Sequence, residues 1–154
     1  MDINVKTTLS GKPIGNALFV NASNMKKIGN NARKRMLDRI SKGGDINGGK
    51  LAAYSDKYAD WKIKSKSKVK RGGSRDTVNM QKSGDMLNSM RTEGKKNIAS
   101  IFVTLHRLIG YYHQSGLAKG GKVREWFGAT KENADKAIKE IQIKLSKQID
   151  KVWK

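Results

Sequence analysis

The chain contains no cysteine, which excludes disulfides and thiolate metal sites. It has two histidines, His106 and His113, too few to make a common zinc site by themselves. Proline occurs once, at Pro13 in a Ser10-Gly11-Lys12-Pro13 turn. No window approaches the roughly 20 apolar residues of a membrane span. The first residues alternate apolar and polar side chains instead of forming the apolar run of a signal peptide. A soluble protein made in a cytoplasm, with no membrane contact, is the expectation. Acidic residues are scarce: 13 against 33 Lys and Arg, a formal net charge of +20 over 154 residues. Such an excess points to nucleic acid, an acidic protein surface or an anionic membrane as neighbour. The length fits a single domain spanning the whole chain.

Recognisable catalytic motifs are also missing. There is no Gly-rich phosphate loop followed by Lys-Ser/Thr, and no GxSxG, HExxH or DxDxDG pattern. Asp56, Asp60, Asp76 and Asp85 do not fall at spacings that suggest a carboxylate metal site. The nearest acid in sequence to His113 is Glu125, so no neighbour orients the imidazole as a general base. His113 reads as a hydrogen-bonded structural residue, and an enzyme is not expected.

What is present reads as α+β. Ile3, Val5, Thr7 and Leu9 alternate with polar residues, a half-buried strand over 2–9. Ala17 to Val20 is either a second strand or a lead-in to the next helix. Ser23 is placed to cap a helix running to about Ile40, with Met25, Ile28, Ala32, Met36, Leu37 and Ile40 on one stripe. The Lys and Arg residues on its other side read as a solvated face. A loop over 41–49 leads to 51–63, where Tyr54, Tyr58 and Trp61 share a helical face. The run from Trp61 to Arg75 holds seven basic residues and no acid. It is read as a mobile basic loop, about 62–76, that orders on contact with an anion or an acidic neighbour. Ser83 to Met90 reads as a short helix. Residues 97–106 form the strongest strand, apolar on both faces and therefore expected at the centre of the sheet, covered on both sides. One or two helical turns follow over 108–116. Val123 to Phe127 is expected to return as a last strand. Thr130 caps a final helix over about 131–153, whose stripe is Ala134, Ile138, Ile141, Leu145, Ile149 and Val152.

Four of the ten aromatic residues lie between Ile109 and Gly128: Tyr111, Tyr112, Trp126 and Phe127. Large aromatics dominate core and interface energetics. Tyr112, His113 and Gln114 are therefore read as a packed corner, and Arg124, Trp126 and Phe127 as the segment that carries the chain back to the sheet.

Four segments follow one another along the chain: Tyr58-Ala59-Asp60-Trp61-Lys62, Ser83-Gly84-Asp85-Met86-Leu87, Tyr111-Tyr112-His113-Gln114-Ser115-Gly116 and Arg124-Glu125-Trp126-Phe127-Gly128. Taken in this order they resemble segments of the phage virion morphogenesis family, which includes Mu-like morphogenesis proteins and the tail-completion, or neck, proteins of tailed phages. The resemblance covers about residues 23–145. It implies a small antiparallel sheet packed by a long helix from the N-terminal half and a C-terminal helix. It also implies a structural virion protein without cofactor or metal, assembled as a ring at the head–tail connector. Such a ring would hold on the order of six or twelve copies related by rotation, with portal or adaptor and tail-terminator proteins as neighbours and DNA in its lumen. Tyr58, Trp61, Tyr112, His113, Gln114, Arg124, Trp126 and Phe127 are the expected structural and interface residues. Lys62, Lys64, Lys66, Lys68, Lys70, Arg71 and Arg75 are the expected contacts to DNA or to an acidic partner. A basic nucleic-acid-binding protein without catalytic activity is the alternative.

Overall fold

A computed structural model describes residues 3–6, 20–64, 77–81, 84–118 and 120–152. The chain is α+β, with elements β1 (Ile3–Lys6), α1 (Ala22–Ser41), α2 (Asp56–Lys64), α3 (Asp85–Asn88), β2 (Met90–Lys95), β3 (Ile98–Val103), α4 (Arg107–Ser115) and α5 (Lys131–Val152). The sheet is antiparallel in the order β1-β3-β2, so β3 is the central strand as its apolar composition requires.

α1 lies across β2 and β3, and α5 packs on α1. Met25, Ile28, Ala32, Met36 and Ile40 are the buried stripe of α1, at the expected helical spacing. The cap is Asn21 and not Ser23: the Asn21 side chain accepts from the Asn24 N–H at 2.9 Å. Extended backbone at Asn21 aims its amide oxygen at the first free donors of the helix. Lys26, Lys27 and Lys34 of α1 are exposed as expected, but its three arginines are less solvated than a charged helix face suggests. Arg33 donates to the Met90 carbonyl at 2.7 Å, Arg35 pairs with Glu140 at 3.0 Å, and Arg39 donates to the Trp126 and Gly128 carbonyls at 2.6 and 2.9 Å.

β2 was not expected from the pattern. Its inward residues are Met90, Thr92 and Gly94, and only one of them is apolar, so the period-two signal is faint. Thr92 and Gly94 are small because α1 approaches closely. A Cβ on Gly29 of α1 would lie 2.5 Å from Thr92 Cγ2 and 3.1 Å from Ala99 Cβ, and one on Gly94 would meet the Ala22 carbonyl. Lys96 and Asn97 link β2 to β3. Asn97 takes the left-handed conformation that asparagine tolerates. Its Oδ1 accepts from the Val20 N–H at 2.8 Å, and its own N–H donates to the Val20 carbonyl at 3.0 Å. This reciprocal pair pins the entry of α1 to the hairpin.

Three expectations are corrected. The sheet carries a helix on one face only among the described elements. Arg91, Glu93 and Lys95 are exposed on the opposite face beside the half-buried Ile98, Ser100 and Phe102. β3 ends at Val103, so Leu105 lies outside the strand and is exposed. Residues 123–127 pair with no strand among the described residues: the Arg124 N–H donates to the His113 carbonyl, and the Glu125 carbonyl accepts from Ile46. α4 on one side and the 44–54 loop on the other satisfy this segment. At the end of the chain, Thr130 caps α5 as expected, with its Oγ1 3.2 Å from the Asn133 N–H.

Candidate interaction site

The segment 123–128 threads between α4 and the loop over 44–54, and Arg124 ties the two together. Its guanidinium is buried. Nε donates to the Ala52 carbonyl at 2.8 Å and Nη2 to the Ala53 carbonyl at 2.9 Å, while Nη1 lies 3.1 Å from His113 Nδ1. Its Cζ sits 5.3 Å from the centre of the Tyr54 ring, within cation–π range. A guanidinium has no acceptor, so His113 Nδ1 must accept and its proton must reside on Nε2. Burial, and then the nearby Arg124 charge, hold the His113 pKa below its ordinary value. The imidazole is thus neutral and serves as an acceptor within the fold.

Trp126 and Phe127 continue the corner. Trp126 is 2% exposed and donates from Nε1 to the Gly110 carbonyl at 3.0 Å. Gly110 is needed there, since a Cβ would lie 2.7 Å from the Trp126 ring and 3.3 Å from Met86 Sδ. Gln114 Oε1 accepts from the Phe127 N–H at 3.1 Å. The Trp126 and Phe127 rings meet in a tilted contact at 5.1 Å within the larger core cluster.

On the other side, Tyr54, Tyr58 and Trp61 form a chain of rings, with centroids 4.9 and 5.5 Å apart. Tyr54 precedes α2, while Tyr58 and Trp61 lie on it. Trp61, at 44% exposed, is the outer end of this chain. Lys62 is only 4% exposed. Its Nζ donates to Asn79 Oδ1 at 2.6 Å, lies 3.4 Å from the Tyr54 hydroxyl and sits 4.7 Å from the Tyr54 ring centre. Burial pulls the Lys62 pKa down to about 8 and pushes the Tyr54 hydroxyl up to about 12.

Lys62 is therefore a correction: an ammonium enclosed by Asn79 and Tyr54 cannot reach a phosphate or a partner's carboxylate. Lys64, at the end of α2, is exposed. Lys66, Lys68, Lys70, Arg71 and Arg75 lie outside the described residues, as does the 65–76 part of the loop assigned to them; residues 62–64 are the last turn of α2 and not loop. His113, Gln114, Arg124, Trp126 and Phe127 come together in one corner, and Tyr58 joins it through Tyr54. Tyr112 does not enter it; it faces outward from α4 at 43% exposed. Sequence reasoning missed Arg39 and Asn79. Arg39 belongs to the site because it holds the Trp126 and Gly128 carbonyls. Its position on the helix beside Arg35, four residues earlier, gave no sign of this.

α4 itself is turned inside out. Gly110 is buried, and His113 and Gln114 are half-buried against the corner, whereas Leu108, Ile109, Tyr111 and Tyr112 are exposed. A surface helix normally buries its apolar stripe; this one buries a glycine, an imidazole and an amide. Between α4 and the end of β3 lies a cleft of about 90 Å³, with Phe102, Val103, Arg107, Tyr111 and Trp126 among its walls. Among the described residues no group of three His, Asp or Glu side chains could hold a metal, and no helix is long and apolar enough to cross a membrane.

No family model, no curated protein and no solved structure matches this chain.

Proposed function

We propose that the chain is a structural subunit of a tailed-phage virion, one copy in a ring at the neck that completes the joint between head and tail. One observation carries this reading: all four segments that resemble the morphogenesis family meet in a single corner. Tyr58 reaches Arg124 through Tyr54, Met86 lies under Gly110, and His113 and Gln114 hold the backbone of 124–127. The segments are far apart in sequence, so their convergence supports a shared folded unit. The corner supports a helix whose apolar side faces outward, as in a surface built to be covered in an assembly. Its imidazole accepts from a cation and has a positioning role, which fits a joint better than a reaction centre.

In this reading the protein acts within the virion, after synthesis in the bacterial cytoplasm, and uses no cofactor. Gold-labelled antibody against the full chain should decorate the neck of intact particles in electron micrographs. Label on the capsid shell or tail fibres, or none on particles, contradicts the reading.

The +20 charge favours a second reading, a nucleic-acid-binding protein without catalysis. It requires DNA binding by the free protein with a steep loss of affinity as salt rises.

A further inference from the structure

We propose that the outward face of α4 is the docking site for an acidic, apolar-anchored segment of a different protein. This rests on the assembly reading and gives one face of the subunit its partner. The apolar side chains are not an incidental scatter. Leu108 and Tyr112, one turn apart, lie side by side, flanked by Ile109 and Tyr111, and Leu108 is 66% exposed. Leu105 before the helix and Leu117 after it extend the exposed apolar surface. The cleft beside Tyr111 and Trp126 is large enough for one apolar side chain, and Arg107 stands at its wall. Such a pocket, lined by a buried tryptophan and reached past a ring of apolar contacts, is the arrangement that anchors a protein segment. A lipid surface would need the apolar face but not the cleft.

Charge decides the partner's chemistry. From Gly94 to Arg124 there is no Asp or Glu. Arg107 and Lys122 are exposed near the two ends of α4, and Arg91 is exposed opposite Phe102 of the cleft wall, so basic residues flank the apolar face. A second copy is a poor occupant, because its net charge is also +20 and many of its acids are engaged. Asp38 pairs with Lys42, Glu132 with Lys136 and Glu140 with Arg35, while Asp45 accepts from its own loop and Glu125 from Asn47. A helix or extended strand with Leu, Phe or Met anchors and Asp or Glu beside them satisfies both the apolar face and its charge.

The test uses the full chain and a fluorescein-labelled synthetic helical peptide, with Leu and Phe along one face and Glu elsewhere. A second peptide replaces every Glu with Lys. Fluorescence anisotropy should show binding of the Glu peptide only. Leu108→Glu, and separately Arg107→Glu with Lys122→Glu, should each weaken it about tenfold or more. Ile143→Glu, an exposed site on α5, should leave it unchanged. Circular dichroism and an unchanged melting midpoint establish that each variant is folded. Equal binding of the Lys peptide, or no loss in the α4 variants, overturns the proposal. So does Leu108-dependent binding to phosphatidylglycerol vesicles without binding to either peptide, which assigns the face to a membrane. A fall in the mass of the unliganded protein on Leu108→Glu assigns it to a copy–copy contact and overturns the proposal as well. A protein that stays monomeric yet binds the Glu peptide refutes the ring and leaves the docking site standing.

Discussion

Arg124 directs its donors to two carbonyls of the 44–54 loop and to the neutral His113. Lysine cannot reproduce that planar fork. Arg124→Lys should therefore destabilise the protein by about 2–4 kcal/mol, because it leaves buried acceptors unpaired; a urea midpoint equal to that of the parent chain would show that the corner does not depend on the fork. Lys62 gives a pH signature. In the unfolded chain it titrates near 10.5, and in the fold at about 8. Between these values the unfolded state binds more protons, so stability should rise with pH from about 8. Tyr54, pushed up to about 12 from 10.0, opposes the rise above about pH 10. Lys62→Met should remove the rise between about pH 8 and pH 10 in urea titrations; an unaltered slope in the variant would place its origin elsewhere. At this scale the sequence was only partly legible. The family-like segments pointed to Arg124 and Trp126. Lys62 was misread because it begins an alternating basic run, and alternation says nothing about which lysine turns inward on a helix. Its spacing of four from Tyr58 was the available clue.

The helices were readable as elements because their periodic stripes are long: α1 and α5 fall within a few residues of where their patterns and caps place them. α5 nevertheless uses only part of its stripe. Of the stripe, Ile141 is buried and Leu145 partly so, but Ile138 and Ile149 remain exposed, and Ala137, which lies off it, is buried instead. β2 was illegible for a physical reason, since close approach of α1 selects Thr92 and Gly94 where a pattern search wants large apolar residues. Gly29 belongs to the same contact and is not simply a weak point of its helix. Gly29→Ala should gain up to about 1 kcal/mol of helix propensity and lose more to the clash with Thr92. The expected net cost is about 1–2 kcal/mol. Adding Thr92→Ser, which deletes the Cγ2 in the way, should recover much of it in a double-mutant cycle. Simple additivity would mean that the two residues do not meet as described. Residues 123–127 failed as a strand because apolar, extended sequence does not specify a pairing partner; here side chains of α4 and carbonyls of a loop supply the contacts that a sheet would.

For the whole molecule, periodic patterns indicated an α+β chain and the charge suggested neighbours; the fold is α+β, and α4 exposes an apolar surface. One core cluster centres on Trp126, Met36 and Met90; the other joins α1 to α5 through Ile28 and Ile141. Outside them the chain leaves α4 and the flank of α5 uncovered, two different surfaces. The α4 face is the one proposed for a different protein, so the copy–copy contact of a ring falls to other surfaces, the flank of α5 among them; head-to-tail contacts close into rings when the rotation between copies allows. The orientation of α4 could not be read from its sequence, because the helical period locates an apolar face without saying whether it turns inward. The central claim is that the chain is a ring-forming subunit, and the most direct measurement is the native mass of the purified full-length protein, with electron micrographs of the same sample. The account predicts one closed species on the order of six or twelve copies, seen end-on as rings. A protein that is monomeric at every concentration and shows no rings would contradict it.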